Sequence, residues 1–421
     1  MKFKVLIVVC LVILLGVAVF AIKDMPSVGT EKFTADVFVG IDVAYDNITK
    51  ITNLIDEISS YANLFIVGCT AITENEGRLN EICQYLYEKD FSFIIYQSIP
   101  IGLQEYSAVS FNRTRPSNDS NVRYPPSLFN SLPNWTLPRQ TSNYAFPNYN
   151  QMASNWTDVA KNRWDKHFLG LYYADEPAGR QLDLDRGWTV VRNAIDYSDA
   201  SGQFNRAINN SVNWYRNGYS NWTDISLFTS DYALYHFDYE AGYDVILAQL
   251  GWNYSRQLNI GLVRGAATLQ NKDWGAIVTW EYDKPPYLES GAQLYNDLVL
   301  AYNNGAKYIA IFDSNEEYTK STLTEDHLNA LKQFWQYTKE NPRNVNSASE
   351  RTAFVLPEDY AYGFRGPEDK IWGLWPADTL SMRLSINVAS KLQEYGAKLD
   401  IVYNETQIQM ANYKQIIYWQ E

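Results

Sequence analysis

Acidic side chains recur just beyond short β-branched and aromatic runs, and they come in the combination that two-carboxylate chemistry needs. Asp175 and Glu176 stand in Tyr172-Tyr-Ala-Asp-Glu-Pro177, Glu281 stands in Thr279-Trp-Glu-Tyr-Asp283, and single acids occur at Asp42, Asp231 and Asp313. Rupture of a glycosidic bond takes one carboxylic acid to protonate the departing oxygen. A second carboxylate attacks the sugar or activates water. Aromatic residues make up 15% of the chain, and Tyr45, Tyr96, Tyr173, Trp252, Trp280 and Tyr282 lie near these acids. Rings so placed suit the flat CH-bearing faces of sugars, with the acids Asp42, Asp231 and Asp313 taking hydroxyls. Two other readings stay open at this point. Adjacent acids before a proline suit the first turn of a helix, and each ring taken singly suits a core.

Other chemistries find little in the residues. His167, His236 and His327 are the only histidines, and none has metal-ligand spacing with Cys or with another His. No Gly-x-Ser-x-Gly elbow and no phosphate loop occurs. No cofactor or metal is therefore expected. A formal charge of −13 without a basic run argues against nucleic acid as a partner. Outside the leader only Cys69 and Cys83 remain, too few for a disulfide scaffold, so both are expected as buried thiols.

The elements that must carry the acids alternate between strand-like runs and helical periodicity, which is the pattern of repeated βα units. The expected strands are Val37–Asp42, Leu64–Val67, Phe91–Tyr96, Phe168–Tyr173, Ile225–Phe228, Val245–Leu250, Gly275–Trp280 and Lys307–Phe312. Between them, apolar residues recur at helical spacing, as in Ile48, Ile51, Ile55 and Ile58, or Leu79, Ile82 and Leu86. A segment of about 65 residues, rich in Pro, Asn, Ser and aromatics, separates the third strand from the fourth, a length that is usually functional in a compact domain. Eight parallel strands close most naturally into a barrel. An open doubly wound sheet is disfavoured because Gly40-Ile-Asp-Val-Ala-Tyr45 stands where a Gly-rich phosphate turn would follow the first strand.

The expected fold is thus an α/β (β/α)8 TIM barrel over 33–342, closed by a helix over Thr324–Lys339, with a small flavodoxin-like α/β domain over 350–421. That smaller part has strands at Thr352–Leu356, Leu399–Tyr403 and Gln415–Trp419, and a helix capped by Asp378 and stopped at Gly396. It is too small for a generous core and is expected to lean on the barrel.

With acids at the ends of strands four and seven, the chain resembles the large superfamily of barrel glycosidases whose acid follows strand four and whose nucleophile follows strand seven. The Tyr-x-x-Asp-Glu-Pro string looks like the strand-four end of several glycosidase-like barrel families. By that resemblance Glu176 is the acid/base and Glu281 the nucleophile. The usual pattern has Asn before the acid where this chain has Asp175, so Asp175 stands beside Glu176 as a catalytic candidate.

At the N-terminus Lys2 and Lys4 precede an uncharged apolar run from Val5 to Ile22, the form of a signal anchor or a cleaved signal peptide over 1–24. Asn-x-Ser/Thr sequons stand at Asn47, Asn112, Asn118, Asn134, Asn155, Asn209, Asn221, Asn253 and Asn404, in keeping with an exported and glycosylated chain. The expected partners are carbohydrate and, through the N-terminal segment, a membrane.

Overall fold

A computed structural model of the chain describes residues 37–97, 156–183, 189–217, 225–343 and 347–420. The expected leader and most of the long segment before strand four lie outside these residues. Eight strands form a closed parallel barrel in chain order. They are β1 (Phe38–Val43), β2 (Leu64–Val67), β3 (Ser92–Gln97), β4 (Phe168–Tyr173), β5 (Ser226–Asp231), β6 (Val245–Leu250), β7 (Asp273–Val278) and β8 (Tyr308–Asp313), and β1 pairs with β8 to close the cylinder.

The described helices include α1 (Ile48–Ile58), α2 (Glu76–Glu88), α3 (Pro177–Asp183), α4 (Tyr197–Asn217), α5 (Tyr235–Glu240), α6 (Arg256–Gln270), α7 (Gly291–Asn303), α8 (Glu325–Glu340) and α9 (Thr379–Tyr395). Among the described residues no helix is long and apolar enough to cross a membrane. Caps start several of them: Asn47 accepts from Lys50 N, Ser255 from Leu258 N, and Asp378 from Leu380 N and Ser381 N. α1 then buries Ile51, Leu54, Ile55 and Ile58 on one face. Cys69 and Cys83 are buried free thiols, as expected.

Strand alternation divides the apolar residues into two cores. Leu64, Ile66, Ile94, Tyr172, Phe228, Val245, Leu247, Ile277, Tyr308 and Ala310 point inward and fill the barrel. Residues of the other parity, such as Val39, Ile41, Phe65, Phe93, Leu171, Tyr173 and Ile246, pack outward under the helices. Each such fully buried aliphatic side chain is worth about 1.5–3 kcal/mol over its exposed state.

Two strand boundaries differ from expectation in ways that matter for the site. β5 runs on through Thr229 and Ser230 to Asp231, because pairing with Val245–Ala248 of β6 overrides the weak strand preference of Ser230 and Asp231. β7 ends at Val278 rather than at residue 280, where tertiary contacts draw the chain out of the sheet. Trp280 Nε1 donates to Ser314 O at 2.9 Å and Glu281 N donates to Tyr287 O at 2.8 Å, which folds 281–288 into a tight loop.

The C-terminal part is a three-stranded parallel sheet, β9 (Thr352–Leu356), β10 (Leu399–Tyr403) and β11 (Gln415–Tyr418), in the order β10-β9-β11. It leans on the barrel as expected, with β10 against α6. Gly265 permits that approach, since a Cβ there would lie 2.6 Å from Ile401 O. Asp400, fully buried, accepts from Arg264 Nε at 2.7 Å and from Tyr413 OH at 2.8 Å, and Arg351 Nη1 forms an ion pair with it at 2.8 Å.

Candidate active site

The inward parity that fills the barrel with apolar residues continues upward into polar ones. One step beyond Gly40 on β1 comes Asp42, beyond Ile94 on β3 comes Tyr96, beyond Phe228 on β5 comes Ser230, and beyond Leu247 on β6 comes Gln249. Tyr172 of β4 completes this layer and is linked to it directly. Its phenol hydrogen-bonds Asp175 Oδ1 and Ser230 Oγ, Ser230 Oγ donates to Asp175 Oδ1 at 2.9 Å, and Gln249 Nε2 donates to Ser230 Oγ at 2.8 Å.

Above this layer the chain leaves β4 through two residues in the left-handed region, Ala174 (φ 51°) and Glu176 (φ 56°). Non-glycine residues held there cost on the order of 1–3 kcal/mol each, and such residues cluster at functional sites. The cost is offset locally: Glu176 N donates to Ser230 O at 2.9 Å, and Thr229 Oγ1 donates to Ala174 O at 2.8 Å. Glu176 is thereby buried with one oxygen accepting from Gln249 Nε2 at 2.8 Å and the other 3.6 Å from Arg180 Nε. Arg180 Nη2 also stands 4.0 Å from Asp175 Oδ2.

Burial, and then the neighbouring Asp175, push the Glu176 carboxyl up to about 8, against the pull of Arg180 and Gln249. Both effects favour the protonated form. Asp42 is also buried, its Oδ1 has no hydrogen-bond partner, and burial followed by Asp175 and Asp313 raises its carboxyl well above the usual range. Gly68 makes room for it, since a Cβ there would lie 2.3 Å from Asp42 Oδ1. Tyr96 and Tyr318 feel the charges of both Asp175 and Glu176, and burial together with those charges raises both phenols. The mouth therefore unites Asp42, Tyr96, Asp175 and Glu176 of the expected residues. It adds Tyr172, Arg180, Ser230, Gln249 and Tyr318. Arg180 had a signal, four residues after Glu176 on a helix begun by Pro177, and so did Gln249, a polar residue on an inward strand position. Tyr318 in the loop after β8 had none.

The other expected residues sit elsewhere. Tyr173 belongs to the outer core, because its parity is opposite to that of Tyr172. Asp231, also of outward parity, accepts from the backbone N–H groups of Ala178, Gly179, Tyr232 and Ala233. It thereby anchors the start of α3, and Gly179 allows the approach, a Cβ there falling 2.5 Å from Asp231 Oδ1. Asp313 binds the Ser321 hydroxyl and the N–H groups of Thr322 and Leu323, with Tyr45 also hydrogen-bonded to it, so that pair shapes the loop after β8. Trp280 is buried in the wall with Trp252 edge-on at 6.2 Å, while Tyr282 is 48% exposed. Glu281 lies three residues past β7, where Arg256 Nη2 holds it at 2.8 Å and also reaches Glu289 at 3.1 Å, while Arg256 Nε holds Asp297 at 2.8 Å. The charges acting most strongly on Glu176 are those of Asp175, Arg180 and Asp231, with Glu281 not among them.

No family model matches the sequence, and no curated protein matches it. Solved structures do match in fold. A GH5_18 protein from Streptomyces cattleya, solved in complex with GlcNAc, superposes with a TM-score of 0.55 at 10% identity, over 91% of this chain and 98% of that one. The α-L-fucosidase isoenzyme 2 of Paenibacillus thiaminolyticus superposes with a TM-score of 0.50 at 12% identity, over 90% of this chain, which spans 59% of the fucosidase. The architecture is that of these barrels.

Proposed function

We propose that this protein is a glycoside-hydrolase-like enzyme whose general acid is Glu176. The observation that carries this reading is a carboxyl buried beside a second acid at the C-terminal end of β4, where burial and that acid favour its protonated form. Active residues of such barrels lie at the C-terminal ends of the strands, and a raised carboxyl pKa is what proton donation to a departing oxygen requires. Likeness of fold to proteins described as a GlcNAc-bound GH5_18 and a fucosidase supports carbohydrate as the substrate class. The partner carboxylate comes from Asp175, which receives two hydroxyl donors, or from Glu281, which Arg256 holds.

The Arg256 cluster favours a second reading, a barrel that binds glycans without cleaving them, since it ties Glu281 to Glu289 and Asp297. One experiment separates the two: hydrolysis of an aryl-glycoside panel, with glycan-array binding, by the full chain and by its Glu176→Gln, Asp175→Asn and Glu281→Gln variants. Turnover that drops about 10²–10⁴-fold in Glu176→Gln supports the acid role. Turnover equal in both removes it, and sugar binding without turnover in any protein establishes the silent barrel. We further propose that the chain acts outside the cytoplasm, from its leader and from the exposed sequons Asn47, Asn253 and Asn404. Protease accessibility on intact cells tests this, and a fully protected chain overturns it.

A further inference from the structure

We propose that His236, Glu240 and Glu405 form a binding site for a divalent transition-metal cation where the C-terminal sheet meets the barrel. α5 sets His236 and Glu240 one turn apart on the same face. Glu405 comes from the other layer, two residues after β10. One ligand atom of each lies within 4.8 Å of the others, with His236 Nε2 2.7 Å from Glu405 Oε1 and 3.5 Å from Glu240 Oε1.

The donors are held in place before any ion arrives. The buried His236 ring packs at 4.8 Å on Tyr403 and at 5.0 Å edge-on to Phe237, which fixes the direction of Nε2. Asn205 Nδ2 donates to Glu240 Oε2 at 2.9 Å and leaves Oε1 turned to the histidine, the kind of outer contact that orients a metal ligand. The charge balance points the same way. Two carboxylates converge here, and among the described residues no Lys or Arg pairs with either. A cation supplies the positive charge that these carboxylates lack: His236 Nε2 gives up its hydrogen to solvent, and the metal then binds Nε2 and one oxygen of each glutamate. One nitrogen and two oxygens, with a water as fourth ligand, suit zinc-like ions. Calcium, which takes 6–8 oxygens, finds too few here. The sequence concealed this site because its third ligand lies far along the chain.

The test is calorimetric titration of the EDTA-stripped, untagged full chain with Zn2+, with Mg2+ and Ca2+ in parallel. Thermal melts and the visible spectrum with Co2+ accompany it. A saturable one-to-one Zn2+ isotherm, a rise in Tm and a four-coordinate Co2+ spectrum are expected, with Mg2+ and Ca2+ inert. His236→Asn, Glu405→Gln and Glu240→Gln, each checked for native circular dichroism, are expected to weaken Zn2+ by about 10–100-fold or more, the range that losing even an outer partner produces. Absence of one-to-one binding by the wild-type chain overturns the proposal, whatever the variants do. So does Zn2+ binding that survives in all folded variants, because the ion would then sit elsewhere.

Discussion

The seam under the C-terminal sheet and the mouth of the barrel both bury acids, and they treat them in opposite ways. At the seam, Asp400 meets two guanidinium groups and a phenol. At the mouth, Asp42, Asp175 and Glu176 lie together, and Arg180 is the cation within reach of Asp175 and Glu176. Matched charge at the seam holds one layer on another. Excess negative charge at the mouth cannot all remain ionised in a buried place, so Glu176 and Asp42 are driven toward their protonated forms. A region built for cohesion neutralises its acids with cations, whereas this one neutralises them with protons, and a proton can be given away.

The comparison breaks most visibly at the seam. Asp400→Ala strands two buried guanidinium groups and is expected to cost about 3–5 kcal/mol, read as a lowered midpoint in urea unfolding. A loss under 1 kcal/mol would mean that the seam does not depend on charge matching.

At the mouth the sign reverses. The Glu176 carboxyl is raised in the folded chain from 4.5 to about 8. Between those two values the unfolded chain loses that proton and the native chain keeps it, so native stability falls as pH rises through this window. Glu176→Gln has no such loss, so it is expected to match wild type at pH 4 and to exceed it by about 2–4 kcal/mol at pH 8. Unfolding midpoints across that range check it, and a variant less stable than wild type at pH 8 would contradict the protonated reading.

Tyr172→Phe removes the phenol on Asp175 and is expected to cost about 1.5–3 kcal/mol, as for a hydrogen bond to a charged group. With the hydroxyl gone, the hydrolytic pH profile proposed for Glu176 is expected to shift, and an unchanged profile would detach Tyr172 from the site. The smallest effect is expected at Asp42, whose carboxyl is driven toward its neutral form by burial and by Asp175 and Asp313. Asp42→Asn changes stability at pH 5 by about 1 kcal/mol or less, and the variant gains on wild type as pH rises. A marked loss at every pH would show that Asp42 needs its charge.

Much of this was legible in the sequence, for local reasons. β4 and its Asp175-Glu176-Pro177 exit could be read because a strand's apolar run and a helix-starting proline are properties of neighbouring residues. Tyr173 lies in the outer core because strand alternation turns it away from the side of Tyr172, a parity that is present in the residue order itself. In the residue order Asp231 is one strand-end acid among several, and only the fold brings four backbone N–H groups onto it. Glu281 stood where the seventh strand was expected to end, and only the contacts of Trp280 and Tyr287 took the chain out of the sheet earlier.

Eight βα units, an acid pair after the fourth strand and a polar step at the inward end of several strands follow from residue order alone, since periodicity and alternation act over a few residues. Which acids share one electric field, which is silenced by a guanidinium or a ring of N–H groups, and which keeps its proton were decided only when the barrel closed. Those properties depend on burial and on distances of a few ångströms between residues far apart in the chain, such as Glu176 and Gln249.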